Sequence, residues 1–181
     1  QEIRVPLSPQ HLIDCSGANV SCFAGGYIYY ALQYIIKYGV VPDQVYPYDA
    51  KAGTCRPDVG SSYRVFVDGT TGVHQIDRHS IEIMKRALVT QGPLLTLVPL
   101  HGTNHTPDLL NYRAGSLHRE TRTSPFLVYH AMTVVGYHQP HANYDEAYWI
   151  VENSWGLDWP AGATGDLQGL VYIAMDTGDV E

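Results

Sequence analysis

Two segments of the chain concentrate side chains that can do chemistry. Tyr129-His130-Ala131-Met132-Thr133-Val134-Val135-Gly136-Tyr137 carries a histidine at the head of a valine-rich run. Tyr148-Trp149-Ile150-Val151-Glu152-Asn153-Ser154-Trp155-Gly156 ends a second such run in a carboxamide, a hydroxyl and an indole. An imidazole with an unperturbed pKa of about 6.5 can take up and release a proton near neutral pH. A carboxamide can hold such a ring in one orientation. Together they can orient and activate a thiol, but neither can replace one. The chain has three cysteines, Cys15, Cys22 and Cys55. One of them is left over if the other two form a disulfide.

Other histidines fall in the pairs His101/His105 and His138/His141, among Gly, Asn and Pro and without the glutamate of an H-E-x-x-H helix. No metal and no cofactor is therefore expected. The fourteen tyrosines read as packing residues.

With 45% hydrophobic and 16% charged residues over 181 positions, the composition is that of a globular protein with a sizeable core. A formal charge of −7 without any Lys/Arg cluster argues against nucleic acid or an anionic membrane surface as partner. Full protonation of the nine histidines would carry that charge to about +2, which suits an acidic compartment. No apolar run reaches the roughly 18 residues of a membrane span, and residues 1–15 lack the pattern of an export signal. The expectation is a chain that neither spans a membrane nor carries its own leader. Asn19-Val20-Ser21 and Asn104-His105-Thr106 are N-glycosylation acceptor triplets, which matter only in a secretory route.

The elements that must position these groups are legible in outline. Ser8 as N-cap and Pro9 at the first helical position predict a short helix to Asp14. Ile28, Ala31, Leu32, Ile35 and Ile36 recur at helical intervals within a predicted helix from about Gly26 to Tyr38, stopped by Gly39. Residues 41–73 read as loop with an extended piece near Tyr63 to Val67, and Ser80 to Gln91 as a third helix closed by Gly92-Pro93. Leu94 to Leu100, Phe126 to Tyr137, Ala147 to Asn153 and Leu170 to Met175 predict strands. Helices first and strands second make an α+β protein of two halves, divided near residue 75 into 1–75 and 76–181.

In order and kind, a series of elements resembles the papain-like cysteine peptidases. It runs Leu7-Ser8-Pro9-Gln10, Asp14-Cys15, Cys22, Gly25-Gly26-Tyr27, Tyr46-Pro47-Tyr48, Cys55, Gly92-Pro93, His130-Ala131, Val135-Gly136-Tyr137 and Tyr148 to Gly156. The resemblance implies a papain-like two-domain fold, with a helical left half that is incomplete, a β-barrel-like right half and the active-site cleft between them. It implies that His130 is the catalytic imidazole, that Asn153 orients it and that Trp155 shields their bond from water. Gly25 and Gly26 would bind the extended substrate backbone, and Tyr27, Ile28, Tyr129 and Ala131 would line the specificity pocket. Phe23-Ala24 makes the spacing before the glycines one residue longer than usual, Glu152 replaces a basic or small residue, and Trp159-Pro160 replaces a Trp-Gly turn.

By the same resemblance Cys15 pairs with Cys55, while Cys22 pairs with a cysteine just before the nucleophile. Neither that cysteine nor the nucleophile is in the sequence. Gln1 falls near the place where two-chain members of the family are cut. The reading is thus a heavy chain that completes a peptidase with a light chain carrying the catalytic Cys, linked through Cys22, and that acts on peptide or protein substrates. The compartment implied is lysosomal, another acidic endolysosomal one, or the exterior. The alternative is a catalytically inactive relative serving as a binding or structural module.

Overall fold

The Ser8 hydroxyl starts the first helix by accepting the His11 N–H at 3.0 Å, and it donates in turn to the Tyr46 carbonyl at 2.5 Å. One buried side chain thus caps a helix and ties it to a loop 38 residues away. Helix α1 (Pro9–Cys15) follows, with Pro9 in its first turn, where a missing N–H costs nothing. The computed structural model describes residues 5–17, 25–67, 73–77, 80–103, 106–119, 125–140 and 146–175. Asn19, Cys22 and Asn104 lie outside the described residues. The chain divides into two compact units, Gln1–Gln75 and Ile76–Glu181.

The first unit is held by polar bonds and one covalent bond more than by a large core. Gln10 donates to Lys51 O at 2.7 Å and to Asp14 at 2.9 Å, and accepts the Asp49 N–H at 2.9 Å. Asp14 also accepts from the Tyr46 hydroxyl at 2.8 Å and the Gly53 N–H at 2.7 Å. A disulfide joins Cys15 to Cys55 across 40 residues. Closing a loop of that length restricts the unfolded chain by about 4 kcal/mol in the chain-entropy treatment. Helix α2 (Ile28–Tyr38) has its apolar stripe, yet none of its residues is fully buried. It begins two residues later than the periodicity predicts, because Gly25 takes a positive φ of 72° and Tyr27 is extended. Gly39 ends it with φ 71°, and Val40 then bridges Val65.

The second unit holds helix α3 (Ile81–Gln91) and a six-stranded sheet. The strands are β1 (Leu94–Thr103), β2 (Thr106–Pro107), β3 (Leu117–His118), β4 (Phe126–His138), β5 (Tyr148–Glu152) and β6 (Leu170–Ala174). Their order is β2-β1-β4-β5-β6-β3, antiparallel except for β3 against β6. Val98, Val134, Val151, Val171 and Ile173 are fully buried on one sheet face, with Met84 of α3 and Trp149 in the same cluster. Six valine, isoleucine and methionine side chains of that size account for roughly 1.5–3 kcal/mol each, so the apolar contribution to stability sits mainly here.

His11 is fully buried in the first unit, with its ring 5.3 Å from that of Tyr46 and its Nε2 3.3 Å from the Tyr34 hydroxyl. Burial lowers its pKa below 6.5, helped by the Arg64 charge and opposed by Asp14. A histidine whose pKa falls on folding binds fewer protons folded than unfolded, so its cost appears as pH drops below about 6.5 and grows until the folded pKa is reached. Asp14 acts lower on the scale. Burial pushes its carboxyl up, but the Gly53, Tyr46 and Gln10 bonds and the Arg56 charge together hold it below 3.8, so its contribution is lost only in stronger acid. Urea titrations at pH 7.5 and 5 should therefore show the first unit losing stability on acidification, and His11→Gln should flatten that dependence. Equal slopes in the two proteins would contradict the assignment.

Candidate active site

Pairing of β4 with β1 puts His130 opposite Val98 and Met132 opposite Thr96. Since successive side chains alternate between faces, His130 shares the core face with the buried Met132 and Val134. Tyr129 and Ala131 therefore project to the other face, and both are exposed. On the other flank, β5 pairs Val151 with Val134 and Glu152 with Thr133. Continuing that antiparallel register beyond β5 brings Trp155 level with His130 and Asn153 one diagonal step away.

The side chains meet accordingly. The Asn153 Oδ1 lies 2.9 Å from His130 Nε2, and the indole of Trp155 stacks on the imidazole at 5.1 Å between ring centres and 30° between planes. Asn153 is only 7% exposed. Its oxygen also accepts the Ser154 backbone N–H at 2.8 Å. That second bond decides the chemistry of the first. A backbone N–H can only donate, so the atom facing it must be the amide oxygen, and an oxygen without a proton can only accept from His130. The imidazole therefore carries its proton on Nε2, leaving Nδ1 to take a proton from an attacking group or, once charged, to give one to a leaving group.

Gly169 sets the position of Asn153. Its carbonyl accepts the Asn153 N–H at 2.8 Å, and its own N–H donates to Trp159 O at 2.7 Å. This hub has φ +75°, a conformation in which glycine replaces other residues at little cost. The loop from 153 to 169 is thus pinned at both ends before Leu170 enters β6 opposite Glu152.

Gly25, Gly26, Tyr27 and Ile28 lie together in the first unit, ahead of α2 and at its start. Gly25, Gly26 and Tyr27 are exposed there, Tyr27 by 69%, and nothing would touch a Cβ at Gly25. In the other histidine pairs, His101 meets Phe126 at 5.8 Å and His138 stacks on Tyr148 at 4.8 Å, while His105 and His141 fall outside the described residues. A cavity of about 670 Å³ opens beside α3, but its charged groups are already matched, Lys85 with Glu82 at 3.1 Å and Arg119 with Glu146. Neither His130 nor Asn153 lines it. The roles of Ser154 and Gly169 are backbone roles that residue type does not announce. A glycine seventeen positions after the strand end was the only trace of the second.

A sequence model described as papain family cysteine protease matches residues 1–176. The chain belongs to the papain family. It is 34% identical over 182 residues to the cysteine endopeptidase RepA of Oryza sativa subsp. japonica, covering 95% of this chain and 44% of that protein. It is 33% identical over 178 residues to procathepsin L of Mus musculus, covering 95% and 48%. The chain thus spans about half the length of these relatives. Among solved structures, a cysteine protease of Carica candamarcensis in complex with E-64 superimposes with a TM-score of 0.71 at 27% identity, over 98% of this chain and 75% of that one. The bromelain protease of Ananas comosus, also with E64, gives 0.70 at 29%, with the same coverage. The papain-like α+β fold is therefore that of this chain.

Asn153→Ala would leave both donors without their acceptor. An expected loss of about 1–2 kcal/mol of second-unit stability, read by urea titration, follows from two bonds of ordinary net worth. An unchanged midpoint would show that water replaces the amide without cost.

Proposed function

We propose that this chain is the heavy chain of a two-chain papain-like cysteine peptidase, whose nucleophilic thiol comes from a light chain joined through Cys22. The observation that carries this reading is the His130 Nε2 to Asn153 Oδ1 contact of 2.9 Å, which leaves Nδ1 for a thiol. Cys15 and Cys55 are joined to each other, so neither is the nucleophile. In the proposed cycle His130 Nδ1 takes the thiol proton and the thiolate attacks the scissile carbonyl carbon. The C–N bond then breaks as the imidazolium protonates the leaving amine. Water gives a proton to the imidazole, attacks the thioester and releases the acid, restoring the thiol.

Within the first unit, Gly25 and Gly26 would bind an extended peptide backbone, with Tyr27 and Ile28 beside them; within the second, Tyr129 and Ala131 flank His130 in the chain and would contact substrate from the exposed face of β4, and Trp155 would keep water from the His130–Asn153 bond. The Cys15–Cys55 disulfide favours an oxidising route. An acidic endolysosomal compartment or secretion, with glycans at Asn19 and Asn104, accords with it.

Mass spectrometry of the native material tests the reading. Reduction should release a second polypeptide from Cys22, and a peptidyl epoxide should label one cysteine of that polypeptide. An attached polypeptide without a reactive thiol would favour a non-catalytic module, and a free Cys22 with no labelled partner would sink the two-chain arrangement.

A further inference from the structure

Behind Trp155 stand two more aromatic rings that the proposed cycle does not use. Trp155 and Trp159 meet edge-to-face at 5.3 Å and 79°, and Trp159 lies against Tyr112 at 5.8 Å and 33°. Both inner rings are buried, Trp159 to 9% and Tyr112 to 6% exposure. Tyr112 follows a 3-10 turn, Asp108–Asn111, and is the one member fastened at its polar end. Its hydroxyl donates to the Ser116 carbonyl and accepts the backbone N–H of Tyr172, in β6, at 3.1 Å. Burial raises its pKa, so the hydroxyl keeps the proton with which it donates. The indole Nε1 of Trp159 is buried and has no hydrogen-bond partner among the described residues. Trp159 is therefore held by ring contacts and by its backbone, not by its own polar atom.

We infer that Tyr112 is a positioning residue for His130, acting through Trp159 and Trp155. The physical case is one of sequence in restraint. Trp155 is only half-buried and would, on an exposed bend after β5, have freedom to swing from the imidazole. The edge-to-face contact with Trp159 limits that swing, because aromatic pairs in this geometry attract each other beyond what their buried area alone gives. Trp159 in turn rests on a ring whose hydroxyl is clamped from two sides. The sheet, through the Tyr172 N–H, thereby sets the cover over the Nε2–H···Oδ1 bond. This rests on the reading of His130 given above, but it concerns the protection of one proton and not turnover.

The His130 Nε2 proton provides the readout. In the full chain it should appear as a slowly exchanging resonance in 15N-edited NMR. Tyr112→Phe keeps the ring and removes both hydroxyl bonds. It should speed exchange of that proton by about two- to tenfold, the range expected if the equivalent of one bond of ordinary net worth, out of the two lost, is transmitted through the two indoles to the imidazole. Trp159→Phe should do the same, and serves alone if Tyr112→Phe does not fold. Tyr137→Phe, on the same strand but packed against Trp149, should leave the exchange unchanged. Folded Tyr112→Phe and Trp159→Phe proteins with wild-type exchange would overturn the inference. So would an equal effect of Tyr137→Phe, or a wild-type proton already in fast exchange. A chain that proves to have no peptidase partner would leave this readout intact, so the two failures are distinguishable.

Discussion

The amide oxygen of Asn153 accepts two N–H groups, and the rest of the site depends on that double acceptance. The Ser154 N–H, 2.8 Å away, fixes which end of the carboxamide faces His130, and this in turn fixes which imidazole nitrogen bears the proton. Either bond alone would leave the site ambiguous. An asparagine held only by a histidine could flip, and a histidine beside an unoriented amide could hold its proton on either nitrogen. The sheet makes the arrangement possible, because the register of β4 with β5 and the Gly169 carbonyl deliver Asn153 to within reach of one particular ring.

Stability and chemistry are distributed differently between the two units. The second unit has a continuous apolar core behind its sheet, and His130 and Asn153 sit at the margin of that core, where rigid neighbours hold them in place. The first unit relies on the Ser8, Gln10 and Asp14 bonds and on the Cys15–Cys55 link, while the apolar stripe of α2 stays partly exposed. A structure with so few fully buried side chains is sensitive to the state of each polar group within it, as the buried His11 illustrates.

Local signals made much of this legible from the sequence. The Ser8-Pro9 start of α1 and the long strands β1, β4, β5 and β6 follow from capping chemistry and β-branched runs, which act over a few residues. The helix at Ile28 was displaced by two positions because the positive φ of Gly25 and the extended Tyr27 override its periodicity. The two-residue strands β2 and β3 left no trace, since Leu117–His118 becomes a strand only by pairing with the distant Tyr172–Ile173. The site divides in the same way. That His130, Asn153 and Trp155 come together was legible in their motif, whereas the bonds of the Ser154 N–H, the Gly169 carbonyl and the Tyr112 hydroxyl involve backbone groups or residues far apart in the chain, and neither leaves a mark on residue type.

The proton on His130 is the central claim in its smallest form. Nitrogen chemical shifts of the ring, recorded on the neutral imidazole in 15N-labelled protein, distinguish a protonated from an unprotonated nitrogen. The account requires the shift of a proton-bearing nitrogen at Nε2 and of a bare one at Nδ1. The reverse assignment, or an equal mixture of the two tautomers, would contradict it.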